Sequence, residues 1–141
     1  MNSFSKLVVR MGLLSLLSVM PLAAQIDNGV DFTTTFPFYA GNTRMPAGSY
    51  KITQADFDTS VLQIQSKDGA YSAFIEFIPT HAEQPHSQGD VTFHKYGDTD
   101  YLNRIWVSGE RYGMKVDPTK AETKAAASTS VVEHSLVADK R

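Results

Sequence analysis

Residues 61–78 read VLQIQSKDGAYSAFIEFI and contain the clearest structural signal in the chain. Asp68 and Gly69 stand between two runs of apolar residues, and an Asp-Gly pair in that position predicts a β-hairpin. Its first strand is predicted at 61–65 and its second at 71–78. Both sides of the second strand carry large side chains, so we expect it to be central and buried on both faces for part of its length.

Strands of the same kind flank this hairpin on both sides. Residues 31–39 are rich in threonine and aromatic residues, and Pro37, which cannot donate a backbone hydrogen bond, predicts an edge position or a bulge there. Further alternating segments between turn residues predict strands at 50–54, 90–96, 101–107 and 112–116. The sequence therefore predicts an all-β fold, a small antiparallel β-sandwich or barrel of about 6–8 strands, and periodicity does not choose between these two.

The last part of the chain, residues 118–141, differs in composition from the β domain predicted at 25–117. Asp117 followed by proline is typical of a helix N-terminus, and good helix formers come next. We therefore expect a short C-terminal helix near 118–127. The chain beyond it is expected to fray, and a wholly disordered tail is the alternative, because the segment has few groups to bury.

Residues 1–24 have the three-part pattern of a cleaved secretory signal peptide. Two basic residues open the segment, residues 11–20 form an apolar run, and small residues precede a cleavage site predicted between Ala24 and Gln25. An uncleaved anchor helix is the alternative, but the apolar run is shorter than the roughly 20 residues that span a bilayer. The chain has no cysteine for a lipoprotein anchor. We expect a secreted or periplasmic product with no transmembrane segment in the mature chain.

The charge of the chain argues against a nucleic-acid partner. The whole sequence has 13 Lys and Arg against 15 Asp and Glu, a net charge of -2. Lys6 and Arg10 lie in the predicted signal, so cleavage leaves 11 basic against 15 acidic residues and a net charge near -4. Because the two signs are interspersed and no basic surplus exists, we expect no nucleic-acid binding.

No group of residues forms a recognisable catalytic, metal or nucleotide motif. The nearest approach to a metal site is a set whose spacing matches no common ligand pattern, so neither a metal nor another cofactor is expected. Its members are His81, Glu83, His86 and His94. No Gly-x-Ser-x-Gly elbow and no phosphate-binding glycine loop occur, and no catalytic residue is assigned. Glu76 is expected to face solvent.

A row of aromatic residues in the second half of the chain could fill the core or form a platform for a sugar or peptide. Large rings commonly fill β cores, so the core is favoured. The residues concerned are Tyr96, Tyr101, Trp106 and Tyr112.

Four stretches together resemble a known group of proteins: FPFYAG at 36–41, MPAGSYKI at 45–52, FHKYGD at 93–98 and YLNRIWV at 101–107. Over roughly residues 30–120 the chain resembles small exported bacterial proteins of unknown function. The resemblance implies an exported single β domain. It implies no activity, cofactor or site residue, because none is assigned in that group.

The sequence therefore favours an exported, non-enzymatic β domain with a binding or structural role at the cell envelope, where its unidentified partner is an envelope component or a small molecule. The alternative is an extracytoplasmic hydrolase or isomerase that uses convergent acids and histidines. A deep pocket holding polar groups such as Glu76, His94 and Arg104 would favour the enzyme. A filled core with a flat aromatic face would favour binding.

Overall fold

A computed structural model describes residues 29–139 of the chain. The predicted signal peptide at 1–24, with its cleavage site between Ala24 and Gln25, lies outside the described residues. Within them, no helix is long and apolar enough to cross a membrane. The elements confirm an all-β fold with a short C-terminal helix: β1 (Val30–Thr34), β2 (Phe38–Ala40), β3 (Thr43–Met45), β4 (Gly48–Gln54), β5 (Val61–Ser66), β6 (Ser72–His81), β7 (Asp90–Tyr96), β8 (Thr99–Trp106), β9 (Tyr112–Val116), α1 (Lys120–Ser128) and β10 (Val131–Val137).

The ten strands form one folded sheet in the order β1-β4-β5-β6-β9-β8-β2-β3, with β7 on the other side of β8 and β10 beyond β7. Strand β6 divides this sheet into two layers, because its residues 72–76 pair with β5 and its residues 77–81 pair with β9. The first layer is β1, β4, β5 and the start of β6. The second layer is the end of β6 with β9, β8, β7, β10, β2 and β3. The order is open, so the strands do not close into a barrel.

The hydrophobic core lies between the two layers. Phe32 on β1 contacts Phe93 on β7 with ring centroids 6.2 Å apart, and Tyr50 on β4 contacts Phe38 on β2 at 5.2 Å. These strands are not neighbours in the sheet, so the layers pack face to face as a sandwich. Fully buried side chains from both layers complete the interior, among them Met45, Ile52, Leu62, Ile64, Leu102 and Ile105.

The hairpin predicted at 61–78 is confirmed, because β5 and β6 pair antiparallel over five register positions. The expected burial of β6 on both faces is wrong. Ala73 and Ile75 point into the core, whereas Phe74 and Ile78, which alternate with them, are exposed. The large side chains on that second face lie on the outside of the sandwich.

The strand predicted over 31–39 is interrupted at 35–37 and forms β1 and β2 instead. Pro37 supplies no backbone donor at the interruption, and β1 takes the expected edge position. The interruption carries the chain from the first layer to the second. Phe32 and Phe38 therefore enter the same core from different layers.

The C-terminal segment differs from the expectation in two ways. Helix α1 begins after Thr119, whose Oγ1 accepts the backbone N–H of Glu122 at 3.1 Å, so Thr119 rather than Asp117 is the N-cap. The expected fraying beyond the helix is wrong, because β10 pairs with β7 at seven register positions. Leu136 of β10 packs against the core, which supplies apolar burial that the local sequence does not reveal.

Candidate functional site

The outer face of the second layer carries polar and aromatic side chains that β7, β8 and β2 bring together. His94 and Tyr101 are register partners on β7 and β8 and therefore share a face. Tyr39 on β2 is the register partner of Tyr101 on its other side, and the two rings stack at 5.4 Å. Tyr96 lies two residues from His94 and contacts Tyr101 at 5.9 Å. Strand alternation thus places three tyrosines and one histidine on one surface.

Helix α1 places a carboxyl group against this surface. Glu122 is 7 % exposed and is the one buried residue of the helix. The helix has little apolar surface with which to dock, since its other residues are mainly alanine, lysine, threonine and serine. Glu122 is therefore the side chain through which the helix meets the sheet.

Glu122 interacts electrostatically with residues of three strands. Burial raises the pKa of its carboxyl group above the ordinary value, and the positive charges of His94 and Lys115 oppose that shift. The pKa values of Tyr96 and Tyr101 are raised mainly by burial, and the charge of Glu122 adds to both shifts. These five residues are termed the Glu122 cluster. Its carboxyl group keeps a proton to higher pH than an exposed glutamate, which suits it to proton exchange.

Two histidine–carboxylate contacts join β10 to β7 and to β8, the next strand beyond β7. Nε2 of His94 lies 2.9 Å from Oε2 of Glu133, its register partner on β10. On the inner side of the same strand, Nε2 of His134 lies 2.5 Å from Oδ1 of the buried Asp100 on β8. The edge of the sheet beside the Glu122 cluster is therefore held from both faces.

The outer face of β6 forms a second candidate site. Phe57, in the β4–β5 connection, is 71 % exposed, and its ring centroid lies 5.2 Å from that of Phe74. Phe74 is 57 % exposed and Ile78, four residues further along β6, is 53 % exposed. These three residues are termed the β6 apolar face. Glu76 lies between Phe74 and Ile78 on this face, and Lys115 on β9 is the register partner of Ile78. The β6 apolar face therefore contains one acidic residue and has one basic residue at its edge.

A groove of about 560 Å³ lies where β1 meets the end of β10. Its lining residues include Val107, Val137, Ser87, Ser108 and Asp139. The volume falls within the range of small-molecule sites. The groove therefore has room for a small ligand.

The polar residues that the sequence singled out do not converge in one pocket. Glu76 is exposed on β6, as expected. His94 belongs to the Glu122 cluster on β7. Arg104 on β8 lies over the ring of Trp106, with its guanidinium carbon 5.7 Å from the ring centroid. Glu76, His94 and Arg104 therefore do not share a deep pocket, which is the arrangement that would have favoured the enzyme.

The histidines considered as metal ligands have separate neighbours. His81 contacts Tyr112, with ring centroids 4.7 Å apart. His86 stacks on Trp106 at 4.2 Å, and His94 pairs with Glu133 on β10. Within the part of the chain that the structure describes, no group of three or more histidine, cysteine, aspartate and glutamate side chains could hold a metal ion.

The aromatic residues of the second half of the chain do not act as one unit. Tyr96 and Tyr101 belong to the Glu122 cluster, whereas Trp106 is buried against the ring of His86. Tyr112, at the start of β9, is exposed. The row therefore forms neither a continuous platform nor a single part of the core.

Glu122 is the functional candidate that the sequence reasoning missed. One signal was available, because Thr119 and Glu122 have the Ser/Thr-x-x-Glu spacing of a capping box and mark the start of a helix. That spacing does not show that Glu122 meets the tyrosines of β7 and β8. The contact arises from the path of α1 across the second layer, between β9 and β10.

The fold and its sites define a class of protein, an all-β sandwich with a short helix that leads into its last strand. No family model, no curated protein and no solved structure matches the chain. The resemblance to small exported bacterial proteins stays a prediction.

Proposed function

We propose that the protein is an exported, non-enzymatic binding domain of the cell envelope, which contacts an apolar surface of a partner protein through the β6 apolar face. One observation carries the proposal. The rings of Phe57 and Phe74 contact each other in solvent, and Ile78 is exposed further along the same face of β6, although the core of the sandwich is filled with residues of the same kind. Contiguous exposed apolar groups are typical of interaction sites, whereas single exposed residues are ordinary.

The composition of the β6 apolar face suits a protein partner. Each large apolar side chain left in water forgoes about 1.5–3 kcal/mol of burial free energy, which a matching surface would recover. The rings of Phe57 and Phe74 already contact each other edge to face, at an interplanar angle of 65°. Glu76, between Phe74 and Ile78, and Lys115, beside Ile78, add polar groups of the kind that accompany the apolar centre of many interfaces.

Photo-crosslinking tests this proposal directly. The amino acid p-benzoylphenylalanine replaces Phe74 in cells that export the protein, and a matched chain carries it in place of Tyr112, an exposed aromatic residue outside the face. Irradiation is expected to give one discrete adduct with a second protein from position 74 and none from position 112. Adding Phe57→Ser to the first chain should lower the yield, because it removes the neighbouring ring.

Three outcomes would contradict the proposal: no adduct from position 74, equal adducts from both positions, or an adduct with lipid alone. Export is tested independently by N-terminal sequencing of the extracytoplasmic protein, which should begin at Gln25. A sequence that begins at Met1 would show that the signal is not removed, and it would leave the test of the β6 apolar face unaffected.

The Glu122 cluster favours a second candidate function, an extracytoplasmic hydrolase or isomerase. A carboxyl group with a raised pKa lies near His94 and two tyrosines, Tyr96 and Tyr101, and such a set can give and take protons. A panel of chromogenic esters, glycosides and phosphates tests it. Activity that falls by about 100-fold or more in Glu122→Gln, with an unchanged circular dichroism spectrum, would support the enzyme. Activity that is absent, or equal in both chains, would favour the binding domain.

A further inference from the structure

Strand β10 has one edge that pairs with no other strand of the described chain. Its seven residues pair with β7 on one side only. The backbone N–H of Asp139 donates to the carbonyl of Asp31 at 2.7 Å and so joins the chain end to β1. That bond lies beyond the last residue of β10. The edge formed by 131–137 is therefore open among residues 29–139.

The two other ends of the sheet are protected against pairing, and β10 is not. Strand β3 has three residues, and β1 is contacted at its edge by Asp139. Strand β10 contains no proline, lysine or arginine, and its one acidic residue is Glu133. Val131, Val132 and Val137 are 48 %, 60 % and 60 % exposed. Long edge strands with exposed apolar residues and few charges readily pair with another strand.

The sequence of β10, VVEHSLV, has nearly the same pattern in both directions about His134. If two copies pair antiparallel around this residue, valine faces valine, valine faces leucine and glutamate faces serine. His134 faces its own copy at the centre, and no Asp, Glu, Lys or Arg opposes a residue of the same sign. Both members of each pair share one face of the sheet, since their numbers differ by an even count. The opposed positions are 131 with 137, 132 with 136, and 133 with 135.

We propose that β10 is the dimerisation strand of this protein and that a second copy of the chain occupies its open edge in this register. The two second layers then form one continuous sheet across a two-fold axis at His134, an isologous interface in which each contact occurs twice. Backbone hydrogen bonds join the strands, and the exposed valines at the two ends of β10 cover each other.

The inner side of β10 keeps this edge in place before pairing. His134 bonds the buried Asp100 and contacts the rings of Phe36 and Phe93 at 5.0 and 5.7 Å. An edge that is already ordered loses little conformational freedom when a partner strand adds to it. The near-symmetric sequence of β10 favours a second copy as the occupant, because in this register each residue of β10 faces a compatible residue of the other β10.

The experiment measures the mass of the exported chain by sedimentation velocity across the micromolar range, and a mass twice that of one chain is expected. Val131→Lys/Val137→Lys sets lysines opposite each other at both ends of the pairing. This variant should raise the dimer dissociation constant about tenfold or more. The matched variant Val131→Lys/Val137→Glu carries the same disruption of apolar contact but sets opposite charges together, so it should dimerise more tightly than the double lysine variant.

The two variants change the same two exposed positions and differ only in the charge at position 137. A difference between their dimer dissociation constants therefore reports the register rather than stability alone. A wild-type chain that stays monomeric would overturn the proposal and would leave the edge to an extended segment of another protein. Equal dissociation constants for the two variants would also overturn it. Circular dichroism shows whether the double lysine variant folds. If it does not, the Val131→Lys/Val137→Glu variant decides alone: a dimer supports the register, and a folded monomer refutes it.

Discussion

Removing the ring of Phe93 should destabilise the protein more than any change on its surface. Phe93 is fully buried, and its ring lies between 5.1 and 6.2 Å from the rings of Phe32, Phe36, Phe38 and His134. Phe→Ala changes at such sites cost about 3–5 kcal/mol. We expect the upper part of that range, because ring contacts from both layers are lost together and each adds about 0.5–1.5 kcal/mol beyond its buried area.

A loss of that size is a large share of the stability of a domain, which is typically about 5–15 kcal/mol. Urea unfolding measures it, followed by circular dichroism and by the fluorescence of Trp106, the single tryptophan of the chain. Phe74→Ala is the matched control, because it removes the same ring from an exposed site, and it should change the free energy of unfolding by about 0.5 kcal/mol or less. Equal losses in Phe93→Ala and Phe74→Ala would refute the assignment of Phe93 to the core.

Four further changes test the helix and the second layer. Glu122→Gln should raise stability at neutral pH and leave it unchanged below about pH 4, because burial raises the pKa of Glu122 and its charge therefore opposes folding as the pH rises through that pKa. Thr119→Ala should cost about 1 kcal/mol, because it removes the acceptor for the backbone N–H of Glu122. Gly113→Ala would place a Cβ atom 2.5 Å from the Trp106 ring, so it should cost roughly 1–3 kcal/mol and shift the tryptophan emission. Gly97→Ala, in open space at φ +60°, should cost about 1–2 kcal/mol through backbone strain and leave the emission unchanged.

Thermal or urea unfolding at several pH values measures all of these changes. If Glu122→Gln lowers stability at neutral pH, the attraction of His94 and Lys115 for the carboxylate outweighs the cost of its burial, and the expected direction is wrong. An unshifted emission in Gly113→Ala would show that β9 can move away from Trp106. Thr119→Ala with wild-type stability would mean that the helix end does not depend on its cap.

The strands were predictable from sequence where their signals are local. The Asp68-Gly69 turn and the alternation on each side of it specify β5 and β6 without reference to the rest of the chain. The local sequence does not predict that Phe74 and Ile78 are exposed, because their exposure depends on which face of β6 the other layer covers. Bulk on both sides of a strand is compatible with burial on both sides and with one exposed interaction face.

The candidate sites depend on contacts that are distant in sequence. Glu122 on α1 meets His94 and Tyr101 only because the helix crosses the second layer after β9. Strand β10 likewise pairs with β7, about forty positions earlier, and its apolar residues, which have partial helical spacing, gave no local sign of that pairing. Short-range patterns therefore predicted most of the strands and the helix but not β10, and the residues that share a surface follow from the topology of the fold.

Strand β6 belongs to both layers, and its continuous backbone links their unfolding. The two layers share one hydrophobic core, so separating them exposes apolar side chains of both layers at once. Opening should therefore be a single cooperative event rather than two independent ones. In hydrogen exchange, the most protected amides of β5 and of β9 should exchange with the same free energy, equal to that of global unfolding. Two distinct values would show that the halves of the sandwich are separate cooperative units.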